Sequence, residues 1–201
     1  MKKNVLISIW MTLATTVLFG FVYPLLVTGL AQLLFPRKAN GQLIEKDGTV
    51  VGSSIIGQGF FSAGYFHSRP SAAGNGWDAA NSGGSNLAPS NQKLIDRVKG
   101  DVATAQVDSP GTPVPIDLVT TSASGFDPHV TPAAAEFQLA RVAKKRGTSV
   151  DQLRALVMKH TEGRQLGFLG EERVNVLELN LDLDQQFPMN NQARAQQEPR
   201  R

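Results

Sequence analysis

Hydrophobic residues fill the start of the chain almost without interruption and then give way to shorter, mixed patterns. No charged residue lies between Lys3 and Arg37, a gap of 33 positions, whereas a helix that spans a bilayer needs only about 20 largely apolar residues. The alternative, a cleaved signal peptide, has an apolar region of roughly 7–15 residues. We therefore expect residues 1–36 to form an N-terminal tail and a single transmembrane helix.

Small residues recur at every fourth position of this predicted span, at Thr12, Thr16 and Gly20. Residues spaced by four share one face of a helix, and small side chains there let a second helix approach closely. Pro24 lacks a backbone N–H, and its ring meets the carbonyl of Gly20, so a kink is tolerable at this point. The pattern predicts a helix that packs against a membrane partner.

Positive charge near the start of the chain indicates the orientation. Lys2 and Lys3 lie on a very short tail, whereas Arg37 and Lys38 are followed by acidic residues. Cytoplasmic flanks of membrane helices are enriched in Lys and Arg. The bias predicts a cytoplasmic N-terminus and an external main domain.

Residues 37–184 suffice for one domain with its own core. Helical periodicity and capping residues predict three helices in it: one begun by Ser90 or Asn91, one from Thr131-Pro132 to Gly147, and one begun by Ser149 with Gln152 as a capping box.

Strands complete the predicted α+β domain. The Leu alternation from Leu177 to Asp184 is typical of a half-buried strand, and the opposite phase of Val174 and Val176 implies a bulge. The stretch 57–91, rich in Gly, Ser and Asn but carrying aromatic residues, predicts an ordered irregular surface. Residues 185–201 read as a disordered tail.

Charge and composition exclude several classes of partner. Apart from Lys2 and Lys3, 18 basic residues face 17 acidic ones, so there is no basic footprint for nucleic acid. The absence of Cys removes thiolate chemistry. His67, His129 and His160 lack the spacing of metal ligands, and we expect no metal site.

Residues with catalytic potential do not form a convincing active site. Ser122, Ser124, Asp127 and His129 are the residue types of a hydrolytic triad, but they crowd into one stretch of chain. Two alternatives stay open: a membrane-anchored periplasmic serine hydrolase, or a ligand-binding module whose pocket is lined by the aromatic residues between Phe60 and Phe66.

Long motifs in fixed order resemble the C subunit of the Kdp-type potassium-transporting ATPase. They include Tyr23-Pro24 in the span, a motif from Tyr65 to Gly74, one from Ser82 to Leu87, Asp117 to Thr120 followed by Ser124 to His129, and Arg173 to Leu177. The resemblance extends to about Asp184. The family's motif loops contain these candidate site residues: Arg69, Ser71, Ser85, Asn86, Ser124, Asp127 and His129.

The resemblance implies an accessory, non-catalytic subunit of a complex in the bacterial inner membrane. Its implied partners are a channel-like potassium-translocating subunit, a P-type ATPase subunit and membrane lipid. The family is linked to assembly and to a catalytic-chaperone role that raises the affinity for ATP. No cofactor is expected to bind stably, and ATP enters only through the complex.

Gln138 and Arg141, on the helix that begins at Pro132, are the residues that the resemblance suggests for a nucleotide role. The alternative for Gln138 is an exposed polar helix position. Because the domain is predicted to lie outside the cytoplasm, an influence on ATP would act by coupling through the membrane partners.

Overall fold

The computed structural model describes residues 2–189, which divide into two compact units at the Ser53–Ser54 boundary. Both helices and strands are present, and an N-terminal apolar helix precedes a mixed domain. The predicted α+β class is therefore confirmed. Most of the predicted tail, from residue 190 on, lies outside the described residues.

The first unit begins with one long helical stretch, composed of α1 (Lys2–Val17), a π-helical turn (Leu18–Val22) and α2 (Tyr23–Leu34). Within residues 2–189 it is the helix that is long and apolar enough to cross a membrane, with 33 residues and a mean hydropathy of 2.1. In the π-helical turn the Tyr23 N–H donates to the Leu18 carbonyl. This wider turn immediately precedes Pro24, which has no N–H to give and would crowd the Gly20 carbonyl in a regular helix.

A helical turn, α3 (Pro36–Ala39), and a hairpin of β1 (Leu43–Lys46) and β2 (Thr49–Ser53) complete the first unit. Asp47 and Gly48 connect the two strands with φ values of 52° and 74°. Asp-Gly tolerates this conformation well, which is why it commonly joins the strands of a tight hairpin.

Over residues 54–189 the second unit has four α-helices, a 3₁₀ turn (Ile116–Leu118) and a small sheet. In chain order its elements are α4 (Gln92–Asp108), β3 (His129–Val130), α5 (Pro132–Arg146), α6 (Val150–Lys159), β4 (Thr161–Glu162), β5 (Arg173–Asn175) and α7 (Val176–Gln186). The strands are antiparallel in the order β3-β5-β4.

The core of the second unit lies where α5, α6 and α7 meet the sheet. Its largest fully buried side chains are Phe66, Leu139, Leu153, Leu179, Leu183, Val142, Val174, Val176 and Asn180. Phe66 belongs to the irregular stretch between β2 and α4, so that stretch contributes directly to the core.

The predicted helix boundaries are confirmed by their caps. Asn91 accepts from the Lys93 N–H, Thr131 accepts from the Ala134 N–H, and Ser149 forms the expected capping box with Gln152. Gly147 ends α5 in the left-handed conformation, with φ of 67°.

The predicted strand from Leu177 to Asp184 is wrong, because this segment lies in helix α7. Asn175 ends β5 and caps the helix by accepting from the Glu178 N–H. Leu is a good helix former and the segment has no β-branched residue after Val176. Leu179 and Leu183, four residues apart, are both buried on the core side, so the helical period prevails. The bulge that the phase of Val174 and Val176 implied is the end of strand β5 at Asn175.

Candidate functional site: a clamped loop and an open cleft

Residues 63–67, which we call the clamped segment, have their backbone polar groups bonded by side chains from two helices. Asn180 of α7 accepts from the Phe66 N–H at 2.9 Å and donates to the Phe66 carbonyl at 2.9 Å. Gln138 of α5 does the same for His67, accepting from its N–H at 2.7 Å and donating to its carbonyl at 3.2 Å. Two side-chain amides thus replace the neighbouring strand that an extended backbone would otherwise need.

Two arginines of α5 hold the preceding carbonyls of the clamped segment. Arg141 donates through Nη1 to the carbonyls of Ala63 and Tyr65 at 2.7 and 2.9 Å. Arg146 donates through Nε to the Gly64 carbonyl at 2.7 Å and through Nη1 to Asp184 at 2.8 Å. The guanidinium of Arg146 also lies 4.6 Å from the centre of the Tyr65 ring. Charge-assisted bonds of this kind are stronger than neutral ones.

Gln138 is therefore buried, with 3% of its surface exposed, and it is not the exposed polar position that the sequence allowed as the alternative. Its Oε1 also accepts from Arg141 Nη2 at 2.6 Å, and its Nε2 donates to the Ala134 carbonyl at 3.1 Å. Both ends of the amide are bonded within the domain.

A cavity of about 220 Å³ lies beside these two residues. Its polar wall includes His67, Asp101, Asp108 and Arg141, and its aromatic wall is Phe137. Burial, followed by the positive charge of Arg141, lowers the pKa of His67 to about 4. His67 is thus neutral at physiological pH. The cavity is smaller than the roughly 300–1,000 Å³ of typical small-molecule pockets, and two carboxylates face it.

The motif residues Arg69, Asp127 and His129 meet at a second place, an open cleft of about 330 Å³. Arg69 Nη1 donates to Asp127 Oδ2 at 3.0 Å, and the His129 N–H donates to Asp127 Oδ1 at 3.0 Å. Burial tends to raise the pKa of Asp127, but the hydrogen bonds from His129 and Arg69 outweigh it and lower the pKa. The carboxylate therefore stays charged and ties two loops together.

The other motif residues support loops. Ser71 Oγ accepts from the N–H groups of Ala73 and Trp77 at 3.2 and 2.9 Å. Ser124 Oγ accepts from the Phe126 N–H at 3.1 Å, and its carbonyl accepts from the Gly83 N–H at 3.0 Å. Ser85 is half-buried and Asn86 has φ of 51°.

The hydrolase alternative lacks its required geometry among residues 2–189. Ser122 Oγ accepts from the Gly125 N–H at 2.9 Å and Ser124 from Phe126, while the side-chain partner of His129 is Asp127, at 3.5 Å. No bond joins either serine to His129 in the described structure. The described residues also contain no cluster of three His, Cys, Asp or Glu side chains that could hold a metal ion.

The aromatic residues near Phe60 do not form the pocket that a ligand-binding module would need. Phe66 is fully buried and Phe60 packs on the core, with the rings of Phe60 and Tyr65 centred 5.6 Å apart. Phe61 is exposed against the edge of Trp77. These rings fix the loop to the domain.

Thr12, Thr16 and Gly20 lie on exposed positions of the N-terminal helix. A Cβ atom at Gly20 would meet only the Thr16 methyl group, at 3.9 Å. The face is therefore open.

Sequence reasoning missed two buried polar residues, Arg146 at 9% exposure and Asn180 at 1%. Arg146 is one of three basic residues in the last turn of α5, but it follows Leu139 and Val142 in the phase of the buried stripe. Asn180 lies on the buried side of α7, which a strand pattern over Leu177 to Asp184 does not indicate. A polar residue in the phase of a buried stripe is the signal that could have found both.

The comparisons with known proteins concern nearly the whole chain. The family model described as "K+-transporting ATPase, c chain", or KdpC, matches residues 5–185. The chain belongs to the KdpC family. A KdpC subunit of Koribacter versatilis (strain Ellin345) is 67% identical over 189 residues, which cover 94% of this chain and 98% of that protein.

More distant KdpC relatives give the same result. The potassium-transporting ATPase KdpC subunit of Acidobacterium capsulatum is 58% identical over 87% of this chain and 94% of its own length. That of Rhodospirillum rubrum is 56% identical over 88% of this chain and 92% of its own length. The family match over residues 5–185 includes both the apolar helix and the mixed domain. KdpC is an accessory subunit and not the catalytic one.

Proposed function

We propose that this chain is the accessory subunit of an ATP-driven potassium uptake complex, in which it supports assembly and raises the ATP affinity of the ATP-hydrolysing subunit. The observation that carries the proposal is the family match across residues 5–185, since it includes both the candidate membrane span and the mixed α/β domain. Its partners are a channel-like potassium-translocating subunit and a P-type ATPase subunit.

The chain resides in the bacterial inner membrane with its N-terminus in the cytoplasm and its domain in the periplasm. The charge-free helix and the lysines before it support this orientation. A reporter that is active only outside the cytoplasm, fused after Arg201, should be active. An inactive reporter on a stable full-length protein would show that the orientation is the opposite of the one proposed.

The helix face of Thr12, Thr16 and Gly20 packs against a membrane partner. Replacing Gly20 with Leu would keep the span apolar while pushing a partner helix away. We expect normal insertion and a weaker complex, and enlarging Gly29, which has open space around it, is the matched control.

The effect on ATP is an indirect coupling. Gln138 and Arg141 direct most of their hydrogen bonds to the clamped segment. In the cavity beside them Arg141 also pairs with Asp108 at 3.5 Å, and Asp101 pairs with Arg97 at 2.6 Å. The described wall of the cavity therefore offers a polyphosphate no net positive charge. ATP is cytoplasmic, whereas the proposed topology puts this domain outside. Contacts with the partner subunits are then the route by which the chain changes nucleotide affinity.

Omission of the chain tests the proposal. The partner subunits should be purified with and without it, and potassium-stimulated ATP hydrolysis measured over a range of ATP concentrations. We expect a higher apparent KM for ATP, or loss of the complex, when the chain is missing, and no hydrolysis by the chain itself. A complex that assembles and binds ATP equally well without the chain would refute the proposal.

A further inference from the structure

The connection between β4 and β5, residues 163–172, contains a small ordered arm at residues 163–170. At its base Glu162 pairs with Arg173 in the sheet register. Towards its tip the Gln165 N–H donates to the Leu169 carbonyl at 2.9 Å, and the Leu169 N–H donates back to the Gln165 carbonyl at 2.9 Å. The arm thus has a defined shape that comes from its backbone.

The tip of the arm carries three large apolar side chains that the domain leaves exposed. Leu166 is 83% exposed, Phe168 69% and Leu169 48%. Single exposed apolar residues are common, but adjacent ones within one turn form a patch of the kind that marks interaction sites.

The backbone conformation at the tip is unfavourable for a leucine at position 166. Leu166 and Gly167 have φ values of 53° and 82°, a region that suits Gly, Asn and Asp and disfavours other side chains. Leu166 gains neither burial nor a favourable conformation from the fold. An apolar side chain at such a position is explained by a contact outside the domain.

Charged residues form a collar around the base of the arm. Glu162 and Arg173 pair at 2.8 Å, and Arg164, Glu171 and Glu172 lie near them in sequence at the base of the arm, so three acids and two arginines give a net charge of −1. An apolar centre with a polar rim is the usual anatomy of a protein interface. The acidic balance disfavours an anionic lipid surface and complements a basic rim.

The arm is continuous with the cleft that contains the family-motif residues. Glu171, Glu172 and Arg173 line that cleft together with Arg69 and Asp127. The base of the arm therefore borders the cleft.

We propose that the arm tip docks Leu166, Phe168 and Leu169 into an apolar socket with a basic rim on a partner subunit. This rests on the proposed function, because it assumes that the chain assembles with partner subunits. Insertion of an aromatic and two aliphatic side chains into a desolvated pocket produces the few large contributions that dominate most interfaces.

The first test is co-purification of the tagged full-length chain with its co-expressed partner subunits. Phe168→Ser should weaken partner retention at least about tenfold, since central aromatic residues are frequent hot spots. Met158→Ser is the matched control, because Met158 is 71% exposed on α6 and makes the same loss of apolar surface elsewhere. Both variants should unfold at the temperature of the original chain, since neither side chain is buried.

A photo-crosslinking amino acid in place of Phe168, in intact cells, identifies what covers the tip. Crosslinks to a partner subunit support the proposal. Crosslinks to lipid would replace it with membrane contact, crosslinks to a second copy would replace it with self-association, and the absence of a specific product would refute it.

The outcomes separate this proposal from the proposed function. If the original chain retains no partner subunit, the proposed function fails. If the original chain and Phe168→Ser retain partners equally, only the docking arm fails.

Discussion

Residues 63–67 and residues 163–170 are both irregular stretches of backbone, yet the domain treats them in opposite ways. The clamped segment is drawn inward, and buried polar side chains bond its N–H and carbonyl groups. The arm is bonded mainly to itself and directs apolar side chains outward. The first arrangement stabilises this chain, and the second leaves apolar surface for another molecule.

Polar side chains are usually expected to carry out function and apolar ones to stabilise the fold. In these two regions the roles are reversed. Gln138 and Arg141, which the family resemblance suggests for a nucleotide role, have structural bonds that account for their chemistry. Leu166 and Phe168 have no such account within the described domain. Variants should therefore separate the two regions by readout, with loss of stability at the clamp and loss of partners at the arm.

The largest expected effect on stability is at Asn180. Asn180→Leu keeps a similar volume but leaves the buried N–H and carbonyl of Phe66 without partners, at a cost of about 1–3 kcal/mol each. We expect the thermal midpoint of the detergent-solubilised chain to fall by about 10 °C. Gln185→Leu, at an exposed position of the same helix, should change it little. An equal midpoint for Asn180→Leu would contradict the clamp.

The pH dependence of stability tests the clamped segment in a second way. The pKa of His67 is about 4 in the folded chain and about 6.5 in the unfolded chain, so the unfolded state binds the proton first. Stability should fall as pH drops from about 6.5 to about 4, by at most roughly 3 kcal/mol. His67→Gln, which keeps a donor for the Ser62 carbonyl, should flatten this slope in denaturation curves. An unchanged slope would place the titration elsewhere.

The cleft should show a smaller effect than the clamp. Arg69 and Asp127 are each about a quarter to a third exposed, at 25% and 30% of their side chains, so their ion pair is partly screened. Arg69→Ala should cost about 1–2 kcal/mol. Arg154→Ala, which removes an exposed pair with Glu136, is the control and should cost less. A loss at Arg69 as large as at Asn180 would mean that the cleft, and not the clamp, organises the loops.

Local signals predicted much of the helical structure. Thr131-Pro132, Gly147, and Ser149 with Gln152 fixed helix ends because capping depends on nearby residues only. The segment from Leu177 to Asp184 was not predictable in this way, because its alternating leucines fit both a strand pattern and a helix. In the structure Asn175 caps the first turn of a helix there. Tertiary contacts decided that element.

The candidate site was predictable in composition but not in role. The motif residues Arg69, Asp127 and His129 do lie close together in space. They come from separate loops that belong to the motifs of the family. That Gln138 and Asn180 clamp consecutive residues could not be foreseen, because the contacts span 71 and 114 positions of sequence.

The central claim is that this chain acts through contacts with its partners and not by binding nucleotide, and blocking the cavity tests it most directly. Thr104 lines the cavity from the exposed face of α4, so Thr104→Trp would fill it without disturbing the clamp, and Ala103→Trp on the same helix is the control. ATP-dependence curves of the purified complex should give the same apparent KM for both variants and for the original chain. A KM for ATP raised by Thr104→Trp alone, in a fully assembled complex, would contradict the account.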